Sequence, residues 1–379
     1  MIRPGQIIGI IGNGQLGRMS AIEAKKLGYT VYVYGPGIHS PAGQVCDLEV
    51  NGAYEDIDLI SSFAQGCHVI TFEFENIPAD VLTAIQTLTP IHPDPEVLQI
   101  SQNRLTEKNW FSGKGFPTTP YAAVRSAGDI AAQMEKWKTR AVLKTLTLGY
   151  DGKGQAKLHS AADATAAWEN LSVKSAILEQ WVDFEAEISV IVARNAYGQV
   201  AVFPVFENIH RHHILDTTFF PARIGSAIQK EAVRIASEVA EHMGLIGLLT
   251  IELFVDRAGN LLINEIAPRP HNSGHVTFNT GPVSQFEQHI RAVCDLPLGS
   301  TSSSLQGVMI NILGDSWTGG EPVWSSLLSL PDVHLHLYGK SDPKPGRKMG
   351  HVTITGNPVD SSLISKVREV LKIPPLDGK

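Results

Sequence analysis

Thr250 to His275 holds two acids whose spacing invites chemistry: Glu252 and Glu265 lie on two apolar runs separated by Ala258-Gly259. A two-residue turn there, closed at Arg257 and Asn260, predicts a β-hairpin with Glu252 directly opposite Glu265. Opposed side chains have Cβ atoms roughly 4.5 to 5.5 Å apart, and two carboxylates at that distance destabilise a sheet unless a cation lies between them. Oxygen-only ligands on a rigid sheet suit Mg²⁺, with Mn²⁺ as the alternative ion, carrying nucleotide phosphates. Phe254, Leu261 and Ile263 are expected on the same face, making it half-buried. The plainer alternative is a solvated hairpin with charges that merely align.

A second group surrounds Lys144. Ala141 to Lys144 reads as a strand ending in a lysine, followed by Gly149-Tyr-Asp-Gly-Lys-Gly-Gln155. Three glycines allow the backbone to wrap phosphates while Lys144 reaches the same charge from beneath. The Walker spacing is absent. Glu179 to Val182 offers backbone groups for an adenine and Glu187 a carboxylate for its ribose, although either acid alone would pass for a strand-edge charge. Near the start, Gly12-Asn-Gly-Gln-Leu-Gly17 follows a strand and opens a helix, as phosphate-cradling turns do. A dinucleotide fold would also need an acid at the end of the next strand. That strand ends at Tyr34-Gly-Pro36 and no acid occurs until Asp47, so the turn is expected to bind another phosphate or to be architectural.

The elements that must carry these residues fall into three regions. Residues 1–100 alternate strands (Gln6 to Ile11, Thr30 to Tyr34, Val69 to Phe74) with helices (Ser20 to Leu27, Ala79 to Thr87), a parallel α/β pattern. The Pro-rich stretch 89–95 marks a boundary. Residues 101–299 mix helices (Ser101 to Lys114, Asp129 to Trp137, Ile228 to Met243) with strands, an α+β region. Residues 300–379 follow a serine-rich linker and form a small β-rich domain with strands near Val308 to Leu313, Val333 to Tyr338 and His351 to Thr355. Arg269 to His275 lacks periodicity and is expected to be a loop lining the site. At 379 residues, two or three domains are expected. A formal charge of -7 argues against a general nucleic-acid binder. No 18-residue apolar run or signal peptide is present, so no membrane partner and a cytoplasmic location are expected. Cys46, Cys67 and Cys294 lack metal-ligand spacing and are expected as buried free thiols.

The lysine-ended strand, glycine lid, Glu-Gln hinge and paired hairpin acids together resemble the ATP-grasp superfamily. More specifically, Gly12-Asn-Gly-Gln-Leu-Gly-Arg-Met19, Phe72-Glu-Phe-Glu-Asn-Ile-Pro78, the lid, Asn264-Glu-Ile-Ala-Pro-Arg269 with His271-Asn-Ser-Gly-His275, and Lys340 through Pro345-Gly-Arg-Lys-Met-Gly-His351 are similar to the N5-carboxyaminoimidazole ribonucleotide synthetase family, the ATPase subunit of phosphoribosylaminoimidazole carboxylase. The motifs occur in that family's order over nearly the whole chain. The resemblance implies an ATP-grasp fold with a pre-ATP-grasp N-terminal domain, and a ligase that carboxylates aminoimidazole ribonucleotide with ATP and bicarbonate. It implies ATP contacts at Arg104, Lys144, Gly149, Tyr150, Asp151, Gly152, Lys153, Gly154, Gln155, Glu179, Gln180, Trp181, Val182, Glu187, His210, Asn264 and Glu265, with metal at Glu252 and Glu265. It places Gln15, Leu16, Glu73, Tyr150, Asp151, Arg269, His271, Asn272, Lys340, Arg347 and Lys348 near the ribonucleotide. Arg269, Asp151 and Lys144 are the catalytic candidates, Arg269 as anion anchor and Asp151 as acidic partner of the amine. The small-molecule partners would be ATP, bicarbonate and aminoimidazole ribonucleotide, and the assembly a homodimer. One departure is visible: where the family often has basic residues after the lysine, this chain has Thr145-Leu-Thr-Leu148, which puts an arginine contact to the lid in doubt. Another ATP-grasp ligase and a nucleotide-binding regulatory module are the competing readings.

Overall fold

The computed structural model describes residues 1–149 and 153–376. Strands Ile7–Ile11, Thr30–Gly35, Leu48–Asn51 and Val69–Phe72 form a parallel sheet whose two inner strands are Thr30–Gly35 and Ile7–Ile11. Apart from the more exposed edge strand Leu48–Asn51, these strands are almost uninterrupted runs of apolar residues because both faces of the sheet are covered. Helix Gln15–Lys26 starts earlier than its apolar pattern suggests, directly at the glycine turn. The expected helix from 101 to 114 is two helices, Pro95–Gln102 and Arg104–Gly113, broken at Asn103. Asn103 has extended backbone, and its Oδ1 accepts from Leu105 N and Thr106 N, so it caps the second helix and makes Arg104 its first residue.

Two sheets make up the rest. Tyr121–Val124, Ala176–Gln180, Ala141–Thr145 and Gln155–Leu158 pair antiparallel, in that spatial order. A nine-stranded sheet begins with the hairpin Leu261–Ala267 and Gly247–Asp256 and continues through Phe184–Arg194, Phe206–Arg211 and Ile214–Phe220. It then runs on without a break into Gln306–Leu313, Lys348–Gly356 and Val333–Leu337, so the C-terminal strands extend the hairpin sheet. Helix Ser226–His242 covers the core formed by Ile188, Val190, Ile251, Leu253, Ile263 and their neighbours.

Helix Gln285–Val293, which the sequence reading left unassigned, bridges the regions. Its His289 Nε2 lies 2.8 Å from Thr71 Oγ1 in the first sheet, and the ring is fully buried. Burial, with a smaller contribution from His92, pushes His289 down to about 3. The unfolded chain therefore takes up a proton near pH 6.5 that the folded chain refuses, and stability falls as pH drops below that value. At pH 5 the loss from this residue is about 2 kcal/mol. Denaturant titrations at pH 7.5 and pH 5 should show His289→Gln losing about that much less than the parent over the interval; an unchanged pH slope would refute the assignment.

Candidate active site

The hairpin acids do face each other, by a route other than the expected turn. The strand pairs run Val255 with Leu261, Phe254 with Leu262 and Leu253 with Ile263, and then Glu252 with Glu265. The loop is thus one residue wider than expected, shaped by Asp256 Oδ1 accepting from both Ala258 N and Asn260 N. A β-bulge after Ile263 inserts one extra residue and restores the opposition of the acids. The wider loop sends Leu261 and Ile263 to the other face, where they join Leu253 and Val255 in the core. The face of the acids instead carries Glu187, beside Phe254 on the neighbouring strand, and His210, whose Nδ1 is 2.6 Å from Glu187 Oε2.

The electrostatics of this face are those of a cation site. Burial and the charge of Glu252 raise the Glu265 carboxyl above its ordinary range. Burial also works against ionised Glu252, but His271, His210 and Lys348 outweigh it and hold that carboxyl low. At His210 burial is outweighed by Glu187, Glu252 and Glu265, which raise it. Among the described residues no group of three or more His, Cys, Asp and Glu is placed to hold a metal. Two carboxylates alone leave the other coordination positions to phosphate and water oxygens, as Mg²⁺ in a nucleotide site requires. The donor set therefore fits that ion.

Beside this face stands the second antiparallel sheet. Lys144 and Glu179 lie on adjacent strands, diagonally displaced, with Lys144 Nζ 2.7 Å from Glu179 Oε2. Burial of Glu179 is outweighed by Lys144, Lys108 and Arg104, which keep its carboxyl below the ordinary range. The missing basic residues after Lys144 are answered from another element: Arg104 donates to Thr145 O at 3.0 Å and Gly149 O at 2.6 Å, bracing the base of the lid. A Cβ on Gly149 would fall 2.7 Å from Lys153 O, and one on Gly154 2.8 Å from Thr145 Oγ1, so neither position admits a side chain. Gln155 Nε2 approaches His213 Nδ1 at 3.5 Å. Tyr150, Asp151 and Gly152 lie outside the described residues. In the hinge, the N–H groups of Gln180 and Trp181 already bond to Pro120 O and Arg140 O, so the backbone donors expected for an adenine there are taken within the protein. Arg140 stacks on the Trp181 ring, 4.5 Å from its centroid.

A cavity of about 360 Å³ opens next to the carboxylates and is lined by Gln15, Leu16, Glu73, Arg269, His271, Asn272 and Lys348, together with Asn13, Gly14, Tyr54, Phe74, Glu75 and His275. The structure thus joins most of the residues assigned to the ribonucleotide. His271 links this cavity to the face of the hairpin acids, its Nε2 2.9 Å from Glu252 Oε1 and its Nδ1 3.0 Å from Ser273 Oγ. That network places the proton on Nε2, and burial pushes the ring's pKa down. Arg269 pairs with Glu75 through Nη2 and donates to Pro270 O through Nη1. Its buried Nε and both amide atoms of Asn272 have no partner among the described residues, and such groups in a polar cavity are available to a ligand. Lys340 and Arg347 are outside this lining. Lys340 donates to Lys348 O at 2.8 Å and burial pushes it down to about 8, whereas Arg347 is exposed and donates to Asp342 O.

The glycine turn is filled from within. Glu73 accepts from Gly14 N at 2.6 Å and Gly17 N at 2.9 Å, so its carboxylate occupies the helix N-terminus that a phosphate would otherwise use. A Cβ on Gly12, whose φ is +107°, would meet Glu73 Cγ at 2.5 Å. Glu73 thus fills the helix N-terminus, while Asn13, Gly14, Gln15 and Leu16 of the turn line the cavity. The segment expected as a loop after Arg269 contains a short 3₁₀ helix, Asn272–Val276. Gln285 clamps it, donating to His271 O and accepting from His271 N, while Ser273 Oγ meets Ser189 Oγ at 2.8 Å on the strand beneath. Ser189 and Gln285 were missed by sequence reasoning, which has no signal for uncharged residues that act through distant partners. Cys67 and Cys294 are buried free thiols as expected, and Cys46 is half-buried. A larger cavity, about 690 Å³, lies near Phe219, Arg368 and Leu376 and is lined by none of the candidate site residues.

Three family models match the chain: a ribonucleotide synthetase preATP-grasp domain over residues 6–102, an ATP-grasp domain over 109–286, and a phosphoribosylaminoimidazole carboxylase C-terminal domain over 307–363. The chain is 43% identical over 360 residues to an N5-carboxyaminoimidazole ribonucleotide synthase of Bacillus subtilis (strain 168), covering 95% of this chain and 94% of that protein. It superposes on an N5-carboxyaminoimidazole ribonucleotide synthetase solved as an ADP complex with a TM-score of 0.93 at 42% identity, covering 98% of this chain and 97% of the other. An Aspergillus clavatus synthase solved with ADP and 5-aminoimidazole ribonucleotide gives 0.89 at 28% identity, covering 97% and 99%. No helix among the described residues is long and apolar enough to cross a membrane.

Proposed function

The chain belongs to the N5-carboxyaminoimidazole ribonucleotide synthetase family, and from that premise we propose that its cleft joins ATP, bicarbonate and 5-aminoimidazole ribonucleotide into N5-carboxyaminoimidazole ribonucleotide, releasing ADP and phosphate. The observation that carries this reading is His271, which contacts Glu252 on the acid face while lining the cavity that holds Arg269 Nε and the Asn272 amide, both without a partner among the described residues. One residue thus connects the place where a phosphate is transferred to the place where an amine is carboxylated.

Bicarbonate is a poor electrophile, and transfer of the γ-phosphoryl group to one of its oxygens makes that oxygen a leaving group. The exocyclic amine then takes the carboxyl carbon, directly or as released CO₂, and phosphate departs. Catalysis of this kind consists of positioning and charge neutralisation. Lys144 offers its ammonium to the phosphates, and Glu187, with His210, holds the ribose side of the nucleotide. Glu252 and Glu265 would hold Mg²⁺, which when bound supplies positive charge to the phosphate oxygens. Arg269 presents a buried guanidinium to bicarbonate or carboxyphosphate. Lys340, Arg347 and Lys348 form the basic rim for the ribonucleotide phosphate, and Asp151 is the acidic partner of the amine. The protein acts as a cytoplasmic homodimer, a location that suits three unpaired cysteines.

A coupled ADP-release assay tests the reaction. ADP should appear only when bicarbonate and the ribonucleotide are both present. Equal release with formate in place of bicarbonate would move the chain to another ligase activity, and nucleotide binding without any turnover would favour a regulatory module.

A further inference from the structure

The strand Leu261–Ala267 is the edge of its sheet, so the pairing that orients Glu265 is secured on one side only. Its outer side is covered by helix Arg104–Gly113 and the segment after it. Ile263 N donates to Pro117 O at 2.9 Å, and Ile263 O accepts from Lys108 Nζ at 2.9 Å and Thr118 Oγ1 at 3.0 Å. Beyond the bulge, Ile266 N donates to Glu107 Oε1 at 2.7 Å. Outward backbone groups of a regular strand recur every second residue. Here they fall at 263 and 266, the spacing that one inserted residue produces.

We propose that Glu107 and Lys108 are positioning residues for the metal and phosphates, gripping the edge strand on either side of the bulge so that Asn264-Glu265 is held against Glu252. The proposal rests on the reading of that face given above. Both side chains are almost wholly buried, at 2% and 1% exposure. Burying a carboxyl and an ammonium costs several kcal/mol each, and apolar residues would pack this helix as well or better. What apolar residues would not do is fix backbone register, the best-attested use of buried ionic groups. Neither residue lines the ribonucleotide cavity, so the grip acts on one substrate site and not on the other.

Lys108→Met keeps most of the stem and removes the ammonium. It should raise the Mg²⁺ concentration for half-maximal ADP release and the KM for ATP roughly 10- to 100-fold, as loss of an outer-shell partner does, with the ribonucleotide KM nearly unchanged. Thr118→Val removes only one of two bonds to the same carbonyl and should move the Mg²⁺ requirement the same way by a few-fold. Glu107→Gln retains an oxygen for Ile266 N and should recover most of what Glu107→Leu loses. Calorimetric titration with Mg·ADP reads the same effects without turnover, so a failure of the carboxylation reading leaves the grip testable. If Lys108→Met does not fold, Thr118→Val and the Glu107 pair decide the matter. Lower stability with an unaltered Mg²⁺ requirement, or equal rises in every KM, would overturn the proposal.

Discussion

Glu265→Gln is expected to slow ADP release about a thousandfold while making the nucleotide-free protein slightly more stable. The rate loss follows from removing one of two carboxylates that would hold the metal, a change on the order of 4 kcal/mol in transition-state stabilisation. The stability gain follows from the geometry: Glu265 stands opposite a second carboxylate, and burial together with Glu252 disfavours its charged form. Relief of such a cross-strand pair is worth a few tenths to about 1 kcal/mol. Glu252→Gln should separate the two effects. Glu252 is held ionised by His271, His210 and Lys348 against the cost of burial, so neutralising it should lower both rate and stability. Steady-state kinetics and thermal unfolding of the two variants, without nucleotide or metal, supply the comparison. If the two variants moved stability in the same direction, the two acids would not be the asymmetric pair described above.

The acid pair was legible before any coordinates because two displacements cancel. Asp256 and Asn260 close a wider loop than Ala258-Gly259 suggests, and the bulge restores the count only for residues beyond Ile263. Leu261 and Ile263 lie between the loop and the bulge and so were assigned to the wrong face. A bulge is held by groups far away in sequence, here Lys108 and Glu107, and charged residues in a helical pattern ordinarily read as a solvated face. The Asn103 break was readable in principle, since asparagine ahead of Arg-Leu-Thr-Glu107 is an N-cap signature, but the apolar pattern runs through it. The glycine turn shows the converse. Its spacing matched a phosphate cradle, and only the fold could show that Glu73, more than fifty residues on, fills it.

Arg269→Ala is expected to cut kcat/KM for bicarbonate about a thousandfold, and Arg269→Lys to recover little of it. Burial pushes Arg269 down to about 10, with Glu73 opposing, so the guanidinium stays charged at neutral pH in a cavity that screens it poorly. One Nη donates to Pro270 O and the other is held by Glu75, which fixes the plane of the group and leaves the buried Nε with no acceptor among the described residues. A planar anion such as bicarbonate or carboxyphosphate can use that fixed fork, whereas a lysine ammonium on a flexible stem would present a point charge without it. The loss of an aimed donor and its charge corresponds to roughly 3 to 4 kcal/mol. Because Arg269 lines the cavity and Lys144 and Glu187 do not, Mg·ADP binding should change less than about threefold. Bicarbonate-dependent ADP release, measured beside calorimetric nucleotide binding, distinguishes the roles. An Arg269→Lys variant retaining half the parent activity would show that position 269 supplies charge alone, and the anchor would have to be sought among the other groups of the cavity.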